Sequence, residues 1–263
     1  MNTIHSLLKY PVVGTHVNAV QYTDILNQVD AWVRSHSTGH FVVVANTHVV
    51  MESRQNHILG EAVRKADMVI PDGMPLVVVG RMRGFPLKRR ADGPGLLVEA
   101  LKQSGQRGWR HYFYGGTPEL LAAMQARIAA EFPGVQVAGA FAPPFRPLTE
   151  EEDRQVVEAI NAAHPDIVWV GLGCPKQERW MLEHAPKLNV PVMFGVGLAF
   201  DLLAGTKKRA PGWMCNTGLE WLYRLLQEPR RLWKRYFLYN PWFVWLVLLE
   251  QVTWMRKGRK QTA

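Results

Sequence analysis

The chain is short of cysteine and lacks the residue patterns that usually hold metal ions. Cys174 and Cys215 are the only cysteines among 263 residues. We therefore expect neither a disulfide framework nor a cysteine-based zinc site, and a reducing cytoplasm is indicated. The nine histidines show no ligand spacing, and no Asp-x-Asp sequence occurs. These absences predict a catalytic site with no metal ion and no other cofactor.

A targeting segment and a membrane-spanning run are also missing from the sequence. Residues 1–20 contain no basic flank followed by an apolar run, so no signal peptide is expected. The most apolar stretch, residues 237–249, is interrupted by Asn240-Pro241 and ended by Glu250. It is shorter than the roughly 20 residues that a spanning helix needs. Hydrophobic residues make up 48% of the chain and charged residues 20%, which indicates a globular protein with a substantial core.

Positive charge and tryptophan are concentrated at the end of the chain. The net charge is +9, and from Lys207 onward 12 Lys or Arg residues stand against three acids, so this part carries the whole excess. It also holds six of the ten tryptophans. Basic residues are attracted to anionic lipid, and tryptophan favours the headgroup region. We expect peripheral binding to the cytoplasmic face of the inner membrane, although a packed helical subdomain with solvated charges would have the same composition.

Apolar, β-branched runs alternate with amphipathic stretches along the first 205 residues. This alternation predicts an α/β fold with a Rossmann-like, mostly parallel sheet and flanking helices. Strands are expected at residues 41–45, 68–70, 111–114, 135–138, 167–170 and 192–196, and helices at 23–35, 95–103, 118–132 and 149–163. Thr149 is expected to cap the last of these helices.

The pattern changes near Gly205, which suggests a division into two parts. Residues 1–205 are expected to form the catalytic α/β domain, and residues 206–263 a basic, Trp-rich helical appendage. Within the appendage, Thr217 and Glu220 have the spacing of a capping box. Pro229 and Pro241 are each expected to begin a further helix.

Polar or glycine-rich segments follow several of the expected strands. Ligands bind at the carboxyl ends of parallel strands, where Asn46, Asp72 and Gly115-Gly116 are expected. Taken alone, Asp72-Gly73 favours a turn, because Asp-Gly is a preferred turn pair, and Gly115-Gly116 is equally a tight turn. Residues 171–178 (GLGCPKQE) place two glycines, a proline and three long polar side chains after a buried strand. That combination favours a ligand-binding loop.

Several of these segments together resemble the WecG/TagA/CpsF glycosyltransferase family. The resemblance is carried by GVGLAFDLLAG at residues 195–205, KRAP at 208–211 and GLEWLYRLLQEPRRLWKRY at 218–236. GLGCPKQERW at residues 171–180 and Pro71-Asp72-Gly73 match further family signatures, and the match runs from about residue 13 to 236. The resemblance implies an inverting, metal-independent transfer from a UDP-sugar to a polyprenyl-diphosphate-linked acceptor, in exopolysaccharide, capsule, teichoic acid or common-antigen assembly.

The resemblance also implies roles for individual residues. Asp72 would be the general base that deprotonates the acceptor hydroxyl, and Arg90 would lie near the donor diphosphate, where arginine matches phosphate oxygens bidentately. Val44 and Gly95 stand where the family often has Thr and Asp, which leaves the donor sugar open. The substrate-binding residues expected from these motifs and from the basic tail are Asn46, Thr47, Gly116, Gly173, Lys176, Gln177, Asp201, Arg209, Arg224 and Arg231.

Two other classes of function fit parts of the sequence. A nicotinamide-dependent oxidoreductase fits the alternating fold, but the G-x-G-x-x-G fingerprint is missing. A nucleic-acid-binding module would use the basic aromatic tail. No recognised nucleic-acid motif accompanies that tail, and its Leu, Trp and Phe content better suits a membrane interface. We therefore expect no nucleic-acid partner and leave a homo-oligomer open, together with the acceptor glycan.

Overall fold

A computed structural model describes residues 8–261, except for the side chains of residues 216, 217, 231, 234, 235 and 255–261. Its centre is a six-stranded sheet with the strand order β4-β3-β8-β7-β5-β6. Every neighbouring pair in this sheet is parallel, which confirms the predicted α/β class. An antiparallel hairpin, β1-β2, precedes it. The strands are β1 Lys9–Val12, β2 Thr15–Asn18, β3 His40–Ala45, β4 Met68–Pro71, β5 Arg110–Gly115, β6 Gln136–Phe141, β7 Ile167–Gly171 and β8 Val192–Gly195.

Helices cover both faces of the sheet and form the end of the chain. The first nine are α1 Tyr22–Arg34, α2 Thr47–Glu52, α3 His57–Lys65, α4 Met74–Met82, α5 Gly93–Arg107, α6 Pro118–Glu131, α7 Glu150–Ala163, α8 Lys176–His184 and α9 Ala199–Ala204. The tail continues with α10 Gly212–Thr217, α11 Glu220–Gln227, α12 Pro229–Lys234, a π-helical turn Arg235–Tyr239 and α13 Asn240–Gln261.

Alternate residues of the buried strands supply two separate apolar layers. In β3, Val43 and Ala45 face one layer and Val42 and Val44 face the other, because successive strand side chains point to opposite faces. The hairpin, α2, α3, α4, α7, α8 and α13 pack on the first face. Helices α1, α5, α6 and α9 pack on the second.

The expected strands and helices of the α/β part all occur, with shifted ends. β6 lies a few residues later than residues 135–138, and α5 extends well beyond residues 95–103 at its C-terminal end. Thr149 caps α7 as predicted, since its side chain accepts a hydrogen bond from the backbone N–H of Glu152, and the Glu152 side chain completes a capping box.

One prediction about the tail is wrong, and two others hold to within a residue. Thr217 is the last residue of α10, and Gly218 ends that helix with a φ of 81°, so Thr217 does not cap α11. A left-handed residue terminates a helix efficiently, and glycine adopts that conformation without strain. Pro229 begins α12 as predicted, whereas Pro241 is the second residue of α13.

The final helix is tied to the N-terminal hairpin. Val13 and Gly14 have φ angles of 51° and 83°, the positive values of a type I′ hairpin turn. Their backbone N–H groups donate to the Glu250 carboxylate over 2.8 and 3.4 Å. The Arg83 guanidinium, which is fully buried, pairs with the same carboxylate at 2.8 Å. Phe243, which also belongs to α13, is buried in the apolar layer on the first face of the sheet.

The opposite side of the tail exposes large apolar side chains to solvent. Trp245 and Leu248 of α13 are each more than half exposed. No helix within residues 8–261 is both long and apolar enough to cross a membrane. The exposed set, here called the outer apolar face, comprises Trp213, Leu219, Trp221, Leu222, Leu226, Trp233, Phe237, Leu238, Trp242, Val244, Trp245, Leu248, Leu249, Val252 and Trp254.

Candidate active site

The carboxyl ends of the parallel strands bring together several of the predicted site residues. Asn46 follows β3 and Asp72 follows β4, its neighbour in the sheet. Gly173 comes just after β7, and Gly116 just after β5. β8 lies between β3 and β7, so the segment after Gly195 separates the two groups. This edge is where ligands bind in doubly wound sheets.

Asp72 is held in place by the adjoining strand. Its backbone N–H donates to the carbonyl of Ala45 over 2.8 Å. Its carboxylate accepts a hydrogen bond from the side-chain amide of Asn46, with Nδ2 and Oδ2 separated by 3.3 Å. The Asn46 Oδ1 atom accepts from the backbone N–H groups of His48 and Val49 and caps α2. Asn46 therefore fixes both the start of a helix and the orientation of the Asp72 carboxylate.

Asp72 lies near Arg90, Asp92 and Glu220, and Arg209 joins this group through Asp92. Arg90 approaches Asp92 to 3.7 Å and contacts the Glu220 carboxylate. Arg209 binds the other oxygen of Asp92 at 2.7 Å. We call these five residues the acid–arginine cluster. Arg209 and Glu220 belong to the appendage and the other three to the α/β part, so both parts of the chain contribute to the cluster.

The surroundings of Asp72 raise the pKa of its carboxyl group. Burial, together with the nearby Asp92 and Glu220 carboxylates, raises the pKa of Asp72 to about 6, and Arg90 and the hydrogen bond from Asn46 only partly oppose this. Burial alone would lower the Arg90 pKa, but the Asp72, Glu220 and Asp92 carboxylates hold that pKa above its usual value. Near neutral pH the cluster thus contains an ionisable carboxylate beside permanent positive charge.

The loop after β7 forms a second polar group at the same edge. Gln177 is almost completely buried, and its Oε1 atom accepts a hydrogen bond from the backbone N–H of Gly173 over 3.1 Å. Its Nε2 atom donates to the buried Glu178 carboxylate over 2.9 Å. A Cβ at Gly195 would approach the same Nε2 atom to 2.9 Å. Glycine at position 195 therefore lets Gln177 lie against the end of β8.

The remaining predicted residues lie around these two groups or apart from them. Thr47 is buried in the first turn of α2, Gly116 has a φ of 74°, and Lys176 is exposed at the start of α8. Asp201, in the first turn of α9, approaches the Lys207 ammonium to 3.8 Å. Arg224 forms no ion pair with another described side chain. The prediction for Arg231 concerns a side chain outside the described residues.

Comparison with known proteins assigns the chain to a family. The model of the glycosyl transferase WecG/TagA/CpsF family matches residues 10–257, which covers both the α/β part and most of the appendage. The chain belongs to this family. It is therefore an enzyme that transfers glycosyl groups, as the sequence predicted.

Several curated relatives share one name. The enzyme is 32% identical over 228 residues to an N-acetylglucosaminyldiphosphoundecaprenol N-acetyl-beta-D-mannosaminyltransferase of Bacillus spizizenii, with 87% of this chain and 86% of the relative covered. Proteins of the same name from Staphylococcus aureus and Bacillus subtilis are 28% and 26% identical. The first covers 85% of this chain and 87% of the relative, and the second 95% and 91%.

Three residues of this glycosyltransferase's candidate site were not among the residues that the sequence predicted. Asp92 caps α5 and binds both Arg209 and the hydroxyl of Tyr22, the latter over 2.8 Å. Its position before Gly93-Pro94, a helix-starting pair, was an available signal. Glu220 stood out only as one of three acids in a basic segment. Tyr22 had no local signal, because its partner is 70 residues away.

Tyr22 also explains one departure from the family pattern. A Cβ at Gly95 would lie 2.1 Å from the Tyr22 hydroxyl, so the aspartate often found at this position could not be accommodated without displacing the tyrosine. Val44, the second departure, packs in the apolar layer on the second face.

No group of three or more His, Cys, Asp or Glu side chains among the described residues is arranged to hold a metal ion. Reaction without a metal remains a prediction.

Proposed function

We propose that the enzyme transfers a sugar, with inversion, from a UDP-sugar to a hydroxyl of a polyprenyl-diphosphate-linked acceptor. The observation that carries the proposal is the Asp72 carboxylate just after β4, hydrogen-bonded to Asn46 and lying near Arg90 of the acid–arginine cluster. A direct displacement needs one base on the acceptor side and positive charge where the diphosphate departs. Both are present within one cluster.

The proposed reaction is a single displacement at the anomeric carbon. Ionised Asp72 accepts the proton of the acceptor hydroxyl while the acceptor oxygen bonds to the anomeric carbon and the bond from that carbon to the diphosphate breaks. UDP leaves with the electron pair, and Arg90 and Arg209 balance its charge. With a pKa of about 6, Asp72 is mainly ionised at neutral pH yet more basic than an exposed aspartate, which suits a general base.

The donor diphosphate must compete for Arg90. In the structure, Glu220 of the tail and Asp92 both engage the Arg90 guanidinium. We propose that a donor phosphate replaces the Glu220 carboxylate, because a diphosphate carries more charge and matches the guanidinium bidentately. The segment beginning at Glu220 would then shift when the donor binds.

The names of the relatives support an N-acetylhexosamine as the transferred sugar and a GlcNAc-diphospho-polyprenol as the acceptor. Those names specify a β-linked product. The sugar in common UDP-N-acetylhexosamines is α-linked to the diphosphate, so a β product supports inversion. The pathway would build a cell-envelope polymer.

We propose that the enzyme binds the cytoplasmic face of the inner membrane as a peripheral protein. The acceptor would be embedded in that membrane, and the outer apolar face of the tail carries tryptophans beside an excess of basic residues. Such side chains suit the headgroup region. Trp245→Ser is expected to weaken flotation with anionic vesicles, whereas it should leave thermal stability nearly unchanged because Trp245 is 55% exposed.

A panel of UDP-sugars with a synthetic prenyl-diphosphate-GlcNAc acceptor tests the reaction. We expect one UDP-N-acetylhexosamine to give product with an inverted anomeric configuration, determined by NMR. Protection against thermal unfolding provides an independent readout, since a ligand that binds the folded state raises its melting temperature. UDP should protect and NADH should not. Protection by NADH without any sugar transfer would favour the oxidoreductase alternative and contradict the proposal.

A further inference from the structure

A second cleft lies between the N-terminal hairpin and the connection from α2 to α3. Its volume is about 710 Å³, and Lys9, Arg54 and Arg64 contribute cationic side chains to its lining. His16 and Gln55 add hydrogen-bonding groups. Its size is sufficient for the headgroup of a phospholipid, because small-molecule pockets span roughly 300–1,000 Å³.

The basic side chains of this cleft take part in no ion pair among the described residues. None of its lining residues is Asp or Glu, within the part of the chain that the structure describes. Lys9, Arg54 and Arg64 have no ion pair with any described carboxylate. Glu61, on the same helix as Arg64, pairs with Lys65 at 2.7 Å, and Arg64 attracts it from beyond ion-pair distance. Arg54 donates a hydrogen bond to the carbonyl of Val13, over 3.1 Å.

The cleft is separate from the active site and adjoins the tail. None of the residues described above at the carboxyl edge of the sheet lines it. Trp242 of α13 does, and it is 54% exposed and belongs to the outer apolar face. Lys9, Arg54 and Arg64 are also exposed. One rim of the cleft thus continues into the surface proposed to meet the membrane.

We propose that this cleft binds the phosphate of an anionic glycerophospholipid of the leaflet. Arginine and lysine pair strongly with phosphate oxygens, and Trp242 would lie at headgroup depth, where tryptophan is favoured. A bound lipid would fix the rotation of the protein on the membrane, which nonspecific attraction of the tail does not do. This inference rests on the membrane association proposed above, but the residues that carry it lie outside the tail except for Trp242.

The test compares two double variants of the full chain by flotation with phosphatidylcholine vesicles, with and without phosphatidylglycerol. Lys9→Gln/Arg64→Gln removes two charges from the cleft. Arg34→Gln/Lys102→Gln removes two exposed charges from α1 and α5, on the opposite face of the sheet. We expect the cleft variant to bind phosphatidylglycerol vesicles at least about tenfold more weakly than wild type, and the control to change by less than about twofold.

Two further measurements distinguish a lipid site from damage to the active site and from a site for soluble anions. Transfer to a short, water-soluble acceptor should be the same in the cleft variant and wild type, because the active site is untouched. Inorganic phosphate at matched ionic strength should not displace wild type from the vesicles.

Equal flotation of the two double variants would overturn the lipid site while leaving membrane association intact. Failure of wild type to float with anionic vesicles would instead overturn the membrane association and the lipid site with it. Displacement by inorganic phosphate down to the level of the cleft variant would identify a soluble-anion site and overturn the lipid assignment.

Discussion

Asp72→Asn should produce an enzyme that is inactive and yet more stable than wild type. Asparagine preserves the shape of the side chain and one acceptor oxygen, but it cannot take a proton from the acceptor hydroxyl. Loss of a general base typically costs about 10²–10⁴-fold in rate. We therefore expect turnover to fall by that factor while UDP binding, which uses other residues, is retained.

The stability gain follows from the pKa of Asp72. The value rises from 3.8 to about 6 on folding, so the ionised carboxylate destabilises the folded state above about pH 6, and this penalty shrinks as the pH falls toward 3.8. Two pKa units correspond to about 3 kcal/mol. Asp72 is mostly but not completely buried, and the solvent that still reaches it reduces this to about 1–2 kcal/mol. Asp72→Asn should raise the free energy of unfolding by that amount near pH 8, and by less near pH 5.

Denaturant unfolding at the two pH values, with UDP-release kinetics, measures both effects. Asp67→Asn is a matched control, since Asp67 precedes the amino end of the same strand and accepts a hydrogen bond from the backbone N–H of Phe41 over 3.0 Å. It should lose stability and keep its specific activity. If Asp72→Asn keeps more than about a third of wild-type turnover, Asp72 is not the general base. If it is less stable than wild type near pH 8, the ionised carboxylate does not destabilise the fold.

Further predictions concern Glu220, Glu250 and the absence of a catalytic metal ion. Glu220→Gln removes a carboxylate that raises the pKa of Asp72 and occupies Arg90. The acidic limb of the pH–rate profile should therefore move to lower pH, and UDP should bind more tightly in calorimetry. An unchanged profile would contradict this role of Glu220. Glu250→Gln leaves the buried Arg83 unpaired and should cost about 2 kcal/mol in denaturant unfolding, whereas the exposed Glu158→Gln should cost almost nothing. Glu250 has a lowered pKa, so its contribution should disappear on acidification below its usual range. Activity should survive EDTA, and a loss that Mg²⁺ or Mn²⁺ restores would contradict the metal-free mechanism.

The central part of the fold was predictable because its signals are local. Strands buried on both faces appear as continuous apolar runs such as FVVVA, and Asn46 and Asp72 follow such runs directly. β6 was the least accurate strand, because it lies at the sheet edge, is only half-buried and has a weaker apolar pattern. The hairpin and the helices α2, α3, α4, α8 and α9 were not predicted, since none of these strands and helices exceeds nine residues and each is too short for a clear periodic pattern.

The full set of residues in the candidate site could not be predicted, because distant segments contact one another there and leave no local pattern in the sequence. Glu220 meets Arg90 across 130 residues, and Arg209 meets Asp92 across 117. The family motifs indicated that these segments matter, but not that an acid of the tail would lie against Arg90. Long-range pairing of charges is determined by how the tail packs, and the sequence of neither segment specifies that packing alone.

The contact between the hairpin turn and Glu250 has a consequence for how the protein is made. Val13 is synthesised well before its partner, which lies 237 residues later. Until the segment that holds Glu250 leaves the ribosome, the hairpin turn lacks this partner and Arg83 lacks its counter-charge. The segments that bring Arg209 and Glu220 into the acid–arginine cluster also emerge late. Closing such a long loop costs entropy before any contact rewards it, so the acid–arginine cluster should be assembled only after these tail segments have been synthesised.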